Sequence, residues 1–448
     1  MLQSSKNRAF DLLVIGGGAT GSGILLDAQS RGLKACLVEA GDFSSQTSSR
    51  STKLIHGGVR YLEQAFFNLD YSQIKLVKEA LKERHILFKI APGLVHPLPI
   101  LIPAYSLWDK IWYYGGMKIY DALAGSQNLE RAKWVSKKEA IDRVPSIKKE
   151  GLSGGIIFTD GQFDDARMGL SLILTAIDKG AVAVNYVKVL SLNPIEVEDT
   201  LTGTRWQIDA ARVVNATGPF ADSIRKMENP DAKPIIEASR GSHLVIDSGI
   251  AGEKTGLLIP KTSDGRVIYC LPWQGKSLVG TTEIACEAEF DPKISEEEIL
   301  YLLKHLGKWL DVAVGREKIS AEFSGIRPLV RDDKSKDTSK IVRDYLIETS
   351  VNGLITIAGG KWTTYRKMAE AVVDLLSDKP CTTDKIQLLE RQRPNTFEEE
   401  VRFAIHREMA CTAEDILFRR SRLGVLDAAR AWQLLPLVEK ILEQEKSL

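Results

Sequence analysis

Residues 10–15 (FDLLVI) form a short run of strand-forming apolar side chains that leads straight into Gly16-Gly17-Gly18-Ala19-Thr20-Gly21, a G-x-G-x-x-G. Few structures accept that junction: a buried strand, a turn tight enough to need glycine, and a helix that starts at the turn. The glycines let the backbone turn sharply and come close to a pyrophosphate, whose charge then rests on the N–H groups and positive dipole of the helix. The spacing predicts that helix over 21–31, ending at Gly32, and a second apolar strand over 34–38 that ends in Glu39. An acidic side chain about 20 residues beyond the last glycine is placed to accept from ribose hydroxyls. The unit reads as a dinucleotide site, with a purely structural glycine turn as the alternative. FAD and NAD share the fingerprint, so the choice between them comes from elsewhere in the chain.

The chain has 448 residues, enough for about three domains, and its 44% hydrophobic and 27% charged residues exclude an intrinsically disordered protein. Sixty Lys+Arg against 59 Asp+Glu leave a net charge of +1, so no overall basic field draws nucleic acid. The five cysteines are scattered without a C-x-x-C pair, which fits a reducing compartment, and no His/Cys/Asp/Glu group has metal-ligand spacing. An uncharged stretch over 90–108 is broken by Pro92, Pro97, Pro99 and Pro103 and cannot be a membrane-spanning helix. The few residues before the first strand, with Lys6 and Arg8, are too polar for a secretory signal.

Residues 47–61 (TSSRSTKLIHGGVRY) combine hydroxyls, two glycines and the cations Arg50, Lys53 and Arg60 with no hydrophobic periodicity, and read as an active-site loop rather than an ordinary surface loop. Together with Asp164-Asp165-Ala166-Arg167-Met168, Asn215-Ala216-Thr217-Gly218-Pro219, Gly280-Thr281-Thr282, Ser324-Gly325-Ile326-Arg327-Pro328-Leu329 and Gly359-Gly360-Lys361-Trp362-Thr363-Thr364-Tyr365-Arg366, this segment resembles the FAD-dependent glycerol-3-phosphate dehydrogenases, the mitochondrial type more than the common bacterial type. The motifs follow one order from about residue 10 to 423.

The resemblance implies a mixed α/β (α+β) fold with a glutathione-reductase-type FAD-binding domain, an antiparallel-sheet substrate domain and a small C-terminal helical domain. The expected segments are 8–95, 150–233 and 347–378 for FAD, 96–149 and 234–346 for substrate, and 379–448 for the helical domain. Local patterns agree: helices over 72–90, 169–180, 295–310 and 363–376, and strands over 181–187, 212–215, 242–247, 267–271, 276–280 and 354–358. The linker between the helices ending near 376 and starting near 397 is much shorter than the family pattern, and no EF-hand pattern is present.

The resemblance also implies FAD as cofactor, glycerol 3-phosphate as substrate, a membrane quinone as electron acceptor, peripheral membrane association and a homodimer. The location would be a mitochondrion or related organelle in a eukaryote, or the cytoplasmic side of the inner membrane in a bacterium. An oxidase that passes electrons to oxygen and a non-catalytic FAD-binding scaffold are the alternatives. Oxidising a secondary alcohol requires a base for the hydroxyl proton, hydride transfer from C2 to flavin N5, and a clamp on the phosphate. Arg60 and Arg327 are the phosphate or alkoxide candidates, since a planar fork binds oxygens bidentately; Tyr61 and Thr281 join them at the substrate. His243 is the expected base, with His56 orienting the flavin, and Lys361 would polarise the flavin or the substrate oxygen. Glu283 stands where the family more often has Asp. Around the cofactor the expected residues are Gly16, Gly18, Gly21 and Glu39, then Ser48, Ser49, Lys53, His56 and Gly57, and finally Val187, Thr217, Gly218, Gly360, Lys361 and Thr363. Residues 107–123 (LWDKIWYYGGMKIYDAL) carry aromatic side chains and two lysines suited to a bilayer interface, or to burial against a neighbouring surface. Arg419-Arg420-Ser421-Arg422 is expected to be a solvated or salt-bridged helix face, with contact to anionic lipid as the alternative.

Overall fold

The computed structural model describes residues 9–58, 71–247, 250–331, 345–392 and 394–446. The run 10–15 does become a strand, Leu12–Ile15, at the centre of a six-stranded sheet in the order Tyr345–Thr349, Ile355–Gly359, Val213–Asn215, Leu12–Ile15, Ala35–Val38, Val182–Val184. All neighbours are parallel except the edge strand Tyr345–Thr349. Every residue of Leu12–Ile15 and Ala35–Val38 is buried, as a parallel sheet covered on both faces requires. Leu12 and Val14 pack with helices Ala19–Ser30, Asp165–Asp178 and Tyr365–Val373, while Leu13 and Ile15 pack with Val187, Val189 and Val197 of a three-stranded meander and with Ile224.

A ten-stranded, mostly antiparallel sheet forms the second layer system. Its long members are Ile236–Ile246 between Ile319–Val330 and Lys276–Gly280, and Val95–Ala104 against Gly154–Phe163. The strands Leu54–Ile55 and Gly154–Phe163 pair here, although both lie in segments expected of the FAD-binding domain. The chain crosses between the two sheets more often than a division by sequence segment anticipates. Prolines 97, 99 and 103, which exclude a helix, are accommodated in Val95–Ala104 because all three have the same parity: their missing N–H groups fall on one edge, where the parallel neighbour Gly256–Ile259 pairs only with Ile100 and Leu101. Helix Leu107–Ala124, opened by a Ser106/Asp109 capping box, buries Met117, Tyr120 and Ala124 against this sheet. Among the described residues no helix is long and apolar enough to cross a membrane.

The C-terminal helices Phe397–Glu408 and Ala428–Lys446 pack on each other, and between them a π-helical turn, Asp415–Arg420, faces the nucleotide domain. Of the two forms expected for the 419–422 cluster, the structure shows the salt-bridged one and not the solvated one. Arg419, Arg420 and Arg422 are 5%, 3% and 2% exposed, so the cluster is neither solvated nor open to lipid. Arg420 forks both guanidinium nitrogens onto the Asp42 carboxylate at 2.6 and 2.8 Å, Arg419 Nε reaches the same carboxylate at 2.6 Å, and Arg422 pairs with Asp165 at 2.9 Å. From the sheet side Arg167 grips Glu408 at 2.5 and 3.2 Å and donates to the Arg420 carbonyl. These buried pairs fasten the C-terminal helices to the nucleotide domain. Burial alone would push the Asp42 carboxyl up, but the two guanidinia more than offset it and hold it below its ordinary value. Its contribution to stability is therefore complete above the ordinary carboxylate range near pH 3.9 and is lost as the pH falls through the depressed value. Arg420→Ala, which strands part of that charge, should cost about 3–5 kcal/mol in denaturant unfolding; a loss below about 1 kcal/mol would match a solvated ion pair instead.

Candidate active site

A groove of about 410 Å³ runs along the C-terminal edge of the parallel sheet. Glu39 and Val187 line one end, Gly16, Gly18, Thr217 and Gly218 the middle, and Gly360, Lys361 and Trp362 the other end. The three motif glycines do different jobs. Gly16 holds φ +106°, and a Cβ there would stand 2.7 Å from the Ala216 carbonyl oxygen; a Cβ on Gly21 would stand 1.9 Å from the Gly16 oxygen. Both are demanded by the fold itself. Gly18, with φ −76°, has only the Ser48 hydroxyl near its missing Cβ, at 3.0 Å, so a side chain there would enter the groove and not the core. The Ala19 N–H at the helix start donates to Ser48 Oγ at 2.9 Å. Glu39 accepts the Gly17 and Gly41 N–H groups at 2.7 and 2.9 Å, and burial pushes its carboxyl up. A carboxylate at one end, glycine and helix N–H groups in the middle and an aromatic, cationic far end fit the ribose, pyrophosphate and flavin of FAD in turn. Phe220 and Phe290, which both line the groove, stack with ring centroids 4.3 Å apart.

A second cavity of about 250 Å³ shares Thr47, Pro328, Gly360, Lys361 and Trp362 with the groove. Its walls include Arg50, Thr52, His56, His243, Arg266, Thr281, Glu283, Arg327 and Thr363. His243 lies on the central strand Ile236–Ile246, 2% exposed, with Nε2 2.9 Å from Thr52 Oγ1 and its ring stacked on Phe323 at 4.9 Å. Its cross-strand partner is Gly280, where a Cβ would stand 2.2 Å from the imidazole. Arg327 donates to Thr281 Oγ1 at 2.9 Å and to the Thr282 carbonyl at 3.2 and 3.3 Å. Gly241, diagonal to it on the facing strand, leaves the guanidinium its space, since a Cβ would stand 2.4 Å from Nη2. Burial, with the nearby Lys53 and Arg327 cations, holds the His243 imidazole well below its ordinary pKa, so the ring is neutral at physiological pH.

The structure thus brings His56, His243, Thr281, Arg327, Lys361 and Thr363 together in one cavity, and places Ser48 beside the glycine turn. His56 is fixed through its backbone, whose N–H and carbonyl both pair with the Thr363 hydroxyl at 3.2 and 3.3 Å. Arg60 and Tyr61 lie outside the described residues. Four expected cofactor residues line neither space: Gly21, whose role is the close packing described above, and Ser49, Lys53 and Gly57. Lys53 is fully buried beneath the loop, its Nζ 2.7 Å from Asp165 and 2.9 Å from the Ser49 carbonyl, and burial pushes it down to about 8. Ser49 serves that ammonium and Arg422 through its carbonyl. Gly57 is a packing glycine: its N–H donates to the Tyr120 hydroxyl at 2.8 Å, and a Cβ would meet Leu81 and Tyr120 at 2.8 Å. Arg50, Thr52, Gly241 and Gly280 were missed as site residues. The first two stand in the loop motif, but the glycines gain meaning only from a strand register that no local pattern displays. Among the described residues no cluster of His, Cys, Asp and Glu could hold a metal ion.

Residues 11–366 match the FAD dependent oxidoreductase family model, and residues 361–448 match the C-terminal domain of alpha-glycerophosphate oxidase. The fold and the groove therefore define an FAD-dependent oxidoreductase. The chain is 42% identical over 98% of its length to the probable mitochondrial glycerol-3-phosphate dehydrogenase of Caenorhabditis elegans, covering 71% of that protein. It is 41% identical over 99% of its length to the mitochondrial glycerol-3-phosphate dehydrogenase of Mus musculus, covering 72% of it. The crystal structure of the glycerol-3-phosphate dehydrogenase from Bacillus halodurans complexed with FAD superposes with a TM-score of 0.78 at 28% identity, over 99% of this chain and 92% of that one. The chain belongs to the glycerol-3-phosphate dehydrogenase family. The fold is shared more widely, for instance with the L-alpha-glycerophosphate oxidase of Mycoplasma pneumoniae, at a TM-score of 0.63 and 18% identity over 86% of this chain and all of that one.

The different roles of the glycines make a prediction. Gly18→Val should give a folded protein, with an ordinary thermal melt, that purifies without flavin absorbance, because its side chain occupies the groove and nothing else. Retention of full flavin absorbance would show that the pyrophosphate is bound elsewhere.

Proposed function

We propose that this chain oxidises sn-glycerol 3-phosphate to dihydroxyacetone phosphate and passes the electrons to a membrane quinone. The observation that carries the reading is the second cavity, where a buried neutral imidazole faces Arg327, Arg50, Arg266 and Lys361 at the flavin end of the cofactor groove. Glu39, the glycine turn, Thr217, Gly218 and Gly360 to Trp362 would hold FAD, which when bound would supply the acceptor for the C2 hydride. The protein's own residues do the rest. Arg327 binds phosphate or alkoxide oxygen with charge-assisted hydrogen bonds, with Arg60 and Tyr61 as further proposed contacts and Thr281 beside them. His243 takes the hydroxyl proton; being buried and neutral, it is in its basic form before substrate arrives. Lys361 polarises the substrate oxygen from the junction of the two spaces, and Thr363 sets the His56 backbone that faces it.

The acceptor and the location are supported by the mitochondrial relatives and by one surface. Helix Leu107–Ala124 turns Leu107, Trp108, Ile111 and Trp112 outward at 73%, 75%, 56% and 48% exposure, beside Lys110. Such a patch suits shallow insertion at a bilayer interface, and hence peripheral attachment to a mitochondrial membrane, or to the cytoplasmic face of the inner membrane if the source is bacterial. An oxidase is the second reading, favoured by the match of 361–448 to the C-terminal domain of an oxidase. Peroxide yield measured against quinone reduction with glycerol 3-phosphate as donor separates the two.

Arg327→Ala should weaken glycerol 3-phosphate by about 1.5–3 kcal/mol, the worth of a charged hydrogen-bond donor, and glycerol should be a poor substrate of the parent enzyme. Glycerol oxidised as fast as its phosphate would rule out a phosphate clamp. His243→Ala should slow anaerobic flavin reduction by roughly 10²–10⁴-fold. Because the imidazole is held below its ordinary value near 6.5, the parent rate should stay flat through neutral pH and fall only in acid, as the base becomes protonated. An unchanged reduction rate in the variant would move the base to another group.

A further inference from the structure

Behind the catalytic cavity lies a buried carboxylate that the mechanism above does not use. Glu298, 2% exposed, stands in the first turn of helix Glu296–Trp309, where Oε2 accepts the Ser295 N–H at 2.9 Å and completes a capping box. A capping carboxylate ordinarily faces water. This one is turned into the large sheet and accepts three more hydrogen bonds: from the Ser242 and Thr282 hydroxyls on Oε1, both at 2.7 Å, and from Arg240 Nη2 on Oε2 at 2.9 Å. Burial alone would raise its pKa, but these donors and the Arg240 charge hold it below its ordinary value, so it is ionised.

Its partners are the immediate neighbours of the reactive residues. Ser242 precedes His243 on the strand, and its hydroxyl lies 2.7 Å from Ser324 Oγ on the facing strand. The Ser242 N–H donates to Thr282 Oγ1 at 2.9 Å, and the Thr282 N–H donates back to the Ser242 carbonyl at 3.3 Å. The Thr282 carbonyl, in turn, accepts both terminal nitrogens of Arg327. We propose that Glu298 is a positioning residue for substrate: by locking the 281–282 turn it aims the Arg327 guanidinium that receives the substrate oxygen. The inference rests on the reading of Arg327 given above.

The polarity of the network explains why a carboxylate is used. An ionised carboxylate only accepts, so both hydroxyl protons are committed to it. The Ser242 oxygen is then left to accept from Ser324, Thr282 Oγ1 to accept the Ser242 N–H, and the Thr282 carbonyl to accept Arg327. One arrangement satisfies every group. Glu298→Gln keeps the shape but introduces a donor. Its NH₂ cannot face Arg240 and the Ser295 N–H, which only donate, so it must face the two hydroxyls and make them turn round, loosening the 281–282 turn.

The test uses the FAD-loaded enzyme with glycerol 3-phosphate. Glu298→Gln should raise KM about tenfold with kcat little changed, and with flavin absorbance and the thermal midpoint kept. In an Arg327→Ala background the same change should add less than about twofold, since residues that act through one another are not additive. Thr282→Val, which removes the hydroxyl and keeps its shape, should reproduce the KM rise and carries the test if Glu298→Gln folds poorly. An unchanged KM in these variants, or a full tenfold effect persisting in the Arg327→Ala background, would overturn the proposal. An Arg327→Ala enzyme with parental KM would instead overturn the reading of Arg327, and this inference with it.

Discussion

The Asp165 carboxylate, fully buried at the start of helix Asp165–Asp178, is the point on which the loop of residues 47–58 and the C-terminal helices both depend. One oxygen accepts the Ser51 N–H, the Ser51 hydroxyl and the Lys53 ammonium at 3.0, 2.7 and 2.7 Å, and the other accepts Arg422 Nη2 at 2.9 Å. A lone buried charge of this kind would be prohibitive, and two cations with a filled hydrogen-bond shell make it tolerable. The consequence is geometric. Thr52, between the two residues gripped by Asp165, has no freedom to drift, and it is Thr52 that meets the His243 ring. The C-terminal region, through Arg422, is thus part of the scaffold that holds His243.

A protein with almost no net charge lines this cavity, among the described residues, with Arg50, Arg266, Arg327 and Lys361 against one carboxylate, Glu283, while other acidic residues are paired in the interior. Asp42, Asp165 and Glu408 are consumed by Arg419, Arg420, Arg422, Lys53 and Arg167 in the interior. Arg50, Arg266 and Arg327 line the cavity; they donate to the carbonyl oxygens of Ser45, Ser324, Glu283 and Thr282, and Arg50 and Arg266 also pair with Asp291 and Asp264 at 3.2 and 3.4 Å. Two glycines on the central strands make the close packing possible. Gly280 seats the imidazole and Gly241 seats the guanidinium, so His243 and Arg327 share one face of adjacent strands without a side chain between them.

Much of this architecture is carried by local pattern and was legible in the chain. The strand, glycine turn and helix at 12–30, the strand 276–280, and the helices near 71–90 and 296–309 appear where periodicity and capping residues place them, because those signals act over a few neighbouring residues. The glycine turn and Glu39 disclosed the cofactor groove for the same reason: backbone freedom and an acidic strand end are properties of contiguous sequence. Tertiary structure decided what each charge is for. Lys53 resembles a cofactor ligand in its loop but pairs with a carboxylate 112 residues away, and Arg420 resembles a surface cation but closes on Asp42 across 378. Gly241 and Gly280 look like ordinary strand glycines until the register sets them against Arg327 and His243. A charge's role depends on which partner and how much water surround it, and both are fixed only when segments distant in sequence pack together.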